Sequence, residues 1–296
     1  MFKNITPHII TGALPDFVTL EKALQQMPFD ITTGQETKSV GWVPPRADGG
    51  LFVESVNGQL IMRFMAETRQ VPASVVQSRV DEMVSEWDAT TGRKPGKKER
   101  RELKEQAVAE LLPNAFPRKR ATWVWIDREK RRLIIDSTSA GVVDDIITAL
   151  VKLVDGFVVE PLQTVMSPAT AMADWLAVSQ ASGDFSIGKA CELVSDDESK
   201  SSVRYKNASL RIPEIYDHIQ AGKQPVSLDL EWDGRVSFTL TDDLKLKKIS
   251  FSDGVLEQSK AQGQRADDFD GNVLMATSEI GQMLDELIAE LDGVAQ

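Results

Sequence analysis

The chain has 296 residues, 42% hydrophobic and 27% charged, which is typical of a soluble globular protein with one large domain or two to three smaller ones. Its formal net charge of −11 and its pI near 4.9 would normally exclude nucleic acid as a partner, because a polyanion is repelled. The single cysteine argues against an intrachain disulfide, and with only two histidines a His/Cys zinc site is not expected. No apolar run approaches the roughly 18 residues of a membrane span, so no transmembrane helix is expected. We therefore expect a cytoplasmic protein without metal or cofactor.

The first seventy residues predict a mixed α/β arrangement. Their strongest signal is Asn57-Gly58 between two apolar stretches, a pair that favours a two-residue hairpin turn. The predicted elements are strands at 5–11, 51–55 and 60–66, a helix at 15–27 and a rigid turn at Gly41-Trp42-Val43-Pro44-Pro45.

Two helices joined by a basic connector are predicted next. Pro72 opens the first helix, which ends before Gly92, and the second spans residues 97–112. The connector, residues 92–98, then lies at the exposed end of an αα-hairpin.

The rest of the chain predicts an α+β arrangement. The predicted strands are 123–126, 132–136, 157–162, 187–194, 202–207, 226–232, 235–241, 246–251 and 272–276, and the predicted helices are 140–154, one opened by Ser167-Pro168, and a last one capped by Ser278. We therefore predict a mixed α/β central domain formed by residues 1–70 and 121–166, an inserted helical hairpin at 71–120, and a C-terminal domain of antiparallel sheet and helices at 167–296.

The positive charge of the chain is concentrated in one segment. Residues 93–132 hold fourteen of the thirty-four Lys and Arg residues against six acids, a net charge of +8, so the other 256 residues carry −19. One explanation is a solvated helix face balanced by interleaved glutamates, and the other is a surface that neutralises phosphates. The excess of bases favours phosphates, and no helix-turn-helix, zinc-finger or homeodomain pattern supplies base readout. The candidate DNA-binding residues are Arg93, Lys94, Lys97, Lys98, Arg100, Arg101, Lys104, Arg118, Lys119 and Arg120.

Three other motifs fall short of a catalytic or metal site. Residues 183–190 nearly match a phosphate-binding loop, but Ala190 stands where a hydroxyl group must reach Mg²⁺. Asp196-Asp197-Glu198 has the carboxylates of a Mg²⁺-dependent nuclease, although an exposed acidic turn is the favoured interpretation. Asp268-Phe269-Asp270-Gly271 is predicted to be a turn, and the tryptophans are predicted to be core anchors rather than base-stacking platforms.

Three groups of motifs run in order along nearly the whole chain. They are Met1-Phe2-Lys3-Asn4 with Gly41-Trp42-Val43-Pro44-Pro45; the Lys/Glu helix leading into Leu111-Leu112-Pro113-Asn114-Ala115-Phe116-Pro117-Arg118 and Trp125-Ile126-Asp127; and His218-Ile219-Gln220-Ala221-Gly222-Lys223 with Leu228-Asp229-Leu230-Glu231-Trp232. Together they resemble the RdgC family of recombination-associated DNA-binding proteins. The resemblance implies a horseshoe monomer, with the hairpin as its tip and residues 167–296 as its base, that pairs into a ring dimer with a basic hole for duplex DNA. It also implies a subunit contact for Phe116, for which a core position under the hairpin is the equal alternative.

We therefore predict a non-enzymatic, sequence-independent DNA-binding protein of the nucleoid. As a homodimer it would encircle or coat duplex DNA and restrain a RecA-type recombinase indirectly, through the DNA. One alternative is a metal-dependent DNA nuclease or recombination exonuclease that uses an acidic cluster. The other is an interaction scaffold whose basic helix docks on an acidic protein surface.

Overall fold

The structure is a computed structural model that describes residues 1–33, 36–261 and 268–295. Its described part is built from two antiparallel sheets and eight α-helices, none of which is long and apolar enough to cross a membrane. In chain order the elements are β1 (Thr6–Ile10), α1 (Phe17–Leu24), β2 (Lys38–Val43), β3 (Val53–Val56), β4 (Gln59–Arg69), α2 (Ala73–Thr91), α3 (Lys97–Leu111), β5 (Pro117–Asp127), β6 (Arg132–Ile135), α4 (Ala140–Leu153), β7 (Val159–Pro161), α5 (Pro168–Val178), β8 (Phe185–Ser195), β9 (Ser202–Tyr205), α6 (Pro213–Gln220), β10 (Lys223–Trp232), β11 (Val236–Thr241), β12 (Leu246–Phe251), α7 (Asp253–Ala261) and α8 (Phe269–Glu290).

The first sheet has seven strands in the order β2-β4-β5-β6-β1-β7, and β3 pairs with β4 next to β2. The predicted hairpin is confirmed. Asn57 and Gly58 join β3 to β4 with φ of 49° and 79°, the positive values that a type I′ turn requires at both positions. The predicted strand 157–162 is shorter than expected, because only Val159–Pro161 pairs with β1.

Both faces of this sheet are buried. Side chains alternate along β4 and β5, so Leu60 and Val124 pack in the cluster that includes α1 and α4. Their neighbours Ile61 and Trp125 pack on the opposite side, in the cluster that includes the second sheet and α8. The alternation also decides which face of the sheet each charged residue further along these two strands occupies.

The helical hairpin leaves the sheet from the end of β4 and β5. These strands stay paired as far as Arg69 and Pro117, and beyond them α2 and α3 pack on each other through a small apolar cluster. Gly92 ends α2 with φ of 69°, in the left-handed conformation that glycine adopts readily at this position. The strand after the hairpin begins at Pro117 rather than at the predicted Trp123, because pairing with β4 holds residues 117–122 without any apolar alternation.

The second sheet has five strands in the order β12-β11-β10-β8-β9. Its predicted β10–β11 turn is confirmed, with Asp233 and Gly234 at φ of 47° and 62°. Helices α5 and α6 contact β10, and α8 contacts β11. The predicted cap of α5 is confirmed as well, since the Ser167 hydroxyl accepts the Thr170 N–H at 3.1 Å.

The prediction for the start of the last helix was wrong in three respects. Residues 272–276 are not a strand, Ser278 is not an N-cap, and 268–271 is not a free-standing turn, because α8 begins at Phe269 and passes through all of them. Asp268 takes the N-cap position, and Ser278 lies exposed inside the helix. The buried side chains follow a helical period instead of a strand period: Val273, Ala276, Thr277, Ile280, Met283, Leu284 and Leu287.

Candidate nucleic-acid interface

Helix α3 begins with an unusual concentration of positive charge. Four of its first five residues are basic: Lys97, Lys98, Arg100 and Arg101. The N-terminus of a helix is the positive end of its dipole, so cations there cost about 0.3–1 kcal/mol each when they are exposed. The one acid of this turn, Glu99, accepts the Gly96 N–H at 2.7 Å and so satisfies one of the free amides. Helix stability therefore does not account for these cations.

Arg93 is committed to the hairpin itself. Its guanidinium donates two hydrogen bonds to the Glu99 carboxylate, at 2.9 and 2.5 Å, and lies 5.8 Å from the centre of the Trp87 ring. The hydrogen bond from Arg93, followed by that from Gly96, lowers the pKa of Glu99 to about 2. This pair ties the connector to the start of α3.

Three more of the predicted DNA-binding residues face carboxylates. Lys98 lies 3.9 Å from Glu102 and Arg101 lies 3.0 Å from Glu105, both as exposed pairs along α3. Lys119 lies 3.4 Å from the carboxylate of Glu67, whose side chain is buried. Its ammonium also lies 5.6 Å from the centre of the Phe29 ring. Lys119 therefore makes contacts within the protein that link β5 to Glu67 of β4 and to Phe29.

The other six predicted residues are exposed, and within the described part of the chain their side chains make neither an ion pair nor a hydrogen bond. We call these six the free cations: Lys94, Lys97, Arg100, Lys104, Arg118 and Arg120. Lys97, Arg100 and Lys104 are spaced by three and four residues, so they form one stripe along α3. The predicted site therefore divides into four cations with acidic partners and six without.

Arg118 and Arg120 extend the free cations onto the sheet. They are two residues apart in β5, so their side chains share a face, opposite to that of Lys119. Their partners across the ladder are Thr68 and Ala66, which are uncharged. Burial raises the pKa of the nearby Asp136, and the positive charge of Arg120 opposes that rise only weakly.

The remaining basic residues of the 93–132 segment, which were not predicted as DNA contacts, mostly hold the fold together. Lys130 and Arg132 both pair with Asp285 of α8, at 3.1 and 2.5 Å. Arg131 donates to the backbone carbonyls of Ile10 and Gly12. These contacts fix β6 against its neighbours in the core.

Phe116 is 93% exposed in the short connection between α3 and β5. The core position under the hairpin is therefore wrong for this residue. The tryptophans Trp42, Trp125, Trp175 and Trp232 are buried, as predicted, and Trp123 is partly buried.

The motifs set aside from the sequence have simple positions. Residues 183–190 run from a turn into β8, so no helix follows the glycine-rich part. Asp196-Asp197-Glu198 forms the turn between β8 and β9, where Asp196 lies 3.5 Å from Lys200 and the Asp197 carboxylate accepts hydrogen bonds from Ser199. Among the residues described, no group of three or more His, Cys, Asp or Glu side chains is arranged to hold a metal ion.

Comparison with known proteins gives a match over the length of the chain. The family model described as "Putative exonuclease, RdgC" matches residues 1–294. A recombination-associated protein RdgC from Burkholderia cenocepacia is 38% identical over 299 positions, which cover 100% of this chain and 96% of the relative. The protein of the same name from Ralstonia nicotianae is 38% identical over 296 positions (99% and 95%), and that from Bordetella pertussis is 36% identical over 275 positions (93% and 92%).

Proposed function

The chain belongs to the RdgC family, whose curated members are named recombination-associated proteins, and from this premise we propose that it binds duplex DNA through the phosphate backbone without reading sequence. The observation that carries the proposal is the set of six free cations on a chain that is otherwise strongly acidic. Cations that make no ion pair within the described part of the chain are available to release counterions from DNA.

The number of free cations sets the expected salt dependence. Six phosphate contacts give a slope of about −5.4 for log K against log salt concentration, at about −0.9 per contact. The other four predicted residues contribute less, because their carboxylate partners compete with phosphate. Lys and Arg contacts to phosphate position a protein on the duplex and carry no sequence information by themselves.

The direct test is a titration of labelled duplexes of unrelated sequence at several NaCl concentrations. We expect equal affinities for all duplexes and a slope between about −4 and −6 for each subunit bound. A slope near zero, or a strong preference for one sequence, would contradict backbone binding. Single-stranded DNA of the same length, in a parallel titration, measures the preference between the two forms.

We also propose that the protein works as a ring-shaped homodimer built from two horseshoe monomers, with the free cations facing the enclosed duplex. Phe116 supports a subunit contact where the hairpin joins the sheet, because a phenyl ring that is 93% exposed gains free energy when it is buried against a partner. A protein that occupies or encircles duplex DNA would restrain a RecA-type recombinase through the DNA. In strand-exchange assays, DNA to which the protein has been bound beforehand should be exchanged more slowly. The variant Lys97→Gln with Arg100→Gln should lose this inhibition.

A nuclease remains the second candidate, because the description of the family model names an exonuclease. We propose a non-catalytic protein, and incubation of purified protein with end-labelled linear duplex in Mg²⁺ or Mn²⁺ separates the two. Cleavage that persists through purification and disappears on substitution of Asp196 and Asp197 would establish the nuclease. The scaffold alternative is tested by competition: if plain duplex DNA displaces an acidic protein partner from the basic helix, the scaffold alternative is wrong.

A further inference from the structure

A cleft of about 970 Å³ opens between the two sheets, away from the free cations of α3. One wall is the face of β4 and β5 that carries Arg63 and Trp123, and another is the start of α8. The remainder comes from β12, α7, residues 45–48, Met1 and Lys3. No residue of this cleft belongs to the predicted DNA-binding set.

Arg63 is the unexplained residue of the cleft. Its guanidinium lies 5.0 Å from the centre of the Trp123 ring, and among the described residues it has no carboxylate partner and no hydrogen bond. Its Nε is buried without an acceptor. A buried donor on a charged group costs free energy unless an acceptor is supplied, and the planar guanidinium fits a carboxylate with two parallel hydrogen bonds.

The rest of the lining selects among anions. Two of the three aromatic rings that line the cleft already face a cation, because Arg63 covers Trp123 and Arg46 lies 4.6 Å from the centre of the Phe269 ring. That arrangement leaves little room for a stacked base, whereas Ile249, Leu256 and Met275 offer an aliphatic wall. Asp48 and Asp268 also line the cleft and would repel a chain of phosphates, which carries several negative charges, more strongly than a single carboxylate.

We propose that this cleft binds a short peptide segment of a partner protein, in which one carboxylate lies beside large apolar side chains. The carboxylate pairs with Arg63, with exposed Lys3 at the rim as a second cation, and the apolar side chains fill the space against the aliphatic wall. The carboxylate comes either from an acidic side chain or from the end of the partner chain.

The test uses fluorescence anisotropy with a labelled peptide of sequence GSGDLF and the full-length protein. An amidated peptide and one with asparagine for aspartate identify which carboxylate binds, and a peptide with serine in place of both apolar residues tests the aliphatic wall. Arg63→Gln should weaken binding about tenfold, the loss of one charge-assisted pair. Lys3→Glu, which changes an exposed side chain, should weaken it as well, and Arg211→Gln, an exposed position in the loop between β9 and α6, is the matched control.

Each outcome decides the question. Tighter binding of the parent peptide than of the serine peptide, lost in the two cleft variants and kept in the control, supports the proposal. The proposal is overturned if folded Arg63→Gln and Lys3→Glu both bind the peptide as tightly as the parent protein does. It is also overturned if a phosphorylated oligothymidine competes with the peptide, because the cleft would then be a nucleic-acid site. Absence of binding by every peptide up to about 1 mM, a free energy of only about −4 kcal/mol, also overturns it.

Discussion

The division between free and paired cations makes a prediction that two matched variants of α3 can test. Lys97→Gln with Arg100→Gln removes one lysine and one arginine that have no acidic partner among the described residues. Lys98→Gln with Arg101→Gln removes one lysine and one arginine that pair with Glu102 and Glu105. Both variants change the net charge by the same amount, on the same turns of the same helix.

Different losses of DNA affinity are expected from the two variants. Each free cation that meets a phosphate contributes about 0.9 decades at about 0.1 M salt, so the free pair should cost about 60-fold and make the salt slope shallower by about 1.8. A paired cation must first give up an exposed ion pair of about 0.2–1 kcal/mol, which offsets much of its roughly 1.2 kcal/mol per contact. The paired variant should therefore lose less, between about 2-fold and 30-fold.

The measurement is anisotropy of a labelled duplex over a series of NaCl concentrations, with circular dichroism of each variant as the check on folding. Neutralising cations at a helix N-terminus relieves the unfavourable dipole interaction in both variants, so neither should lose helix. Equal losses from the two variants would refute the reasoning that ion pairing within the chain decides which cations bind DNA. A larger loss of affinity from the paired variant would mean that the paired cations, and not the free ones, make the main DNA contacts.

Four further predictions concern the hairpin and the sheet. Leu103→Ala removes a buried side chain from the small α2–α3 cluster, so it should cost about 2–5 kcal/mol and speed hydrogen exchange in the hairpin while the sheets keep their protection. Gly41→Ala would place a Cβ 2.5 Å from the Cα of Phe29, and we expect a loss of about 1–3 kcal/mol in chemical denaturation. The pKa of Glu99 lies near 2 instead of 4.5, so the ionised carboxylate stabilises the fold fully at pH values above 4.5, and this contribution is lost as the pH falls towards 2. Glu99→Gln should therefore lower the thermal midpoint near neutral pH and have the same midpoint as the parent protein near pH 2. Phe116→Ser should leave the midpoint of the monomer unchanged, because the ring is exposed, but shift a dimer towards monomers in light scattering coupled to gel filtration.

Much of the fold was predictable because its signals are local. Asn57-Gly58 and Asp233-Gly234 specify their turns within two residues, and Ser167 caps α5 within one helical turn. The start of α8 was not predictable in the same way. Its first two turns include a glycine and an asparagine that weaken the helical pattern, and burial against the second sheet outweighs that weakness.

The location of the basic site was predictable from charge counting, but its division into free and paired cations was not. Lys98 and Arg101 have glutamates four residues ahead, a pattern visible in the sequence. The partner of Lys119 is Glu67, fifty-two positions away, and only the β4–β5 register brings them together. The same register decides that Arg118 and Arg120 lie on the other face, where neither makes an ion pair with any residue that the structure describes.

The acidic remainder of the chain gives the free cations a further role in orientation. Screening limits the reach of a charge to about 10 Å at 0.1 M salt, so DNA senses only the surface patch that it approaches. With −19 spread over the rest of the chain, most approaches are repulsive, and those towards the hairpin and the β4–β5 ribbon are attractive. A uniformly basic protein would bind DNA equally well in many orientations, whereas this distribution favours one. Orientation of that kind is what the proposed ring dimer would need in order to close around one duplex.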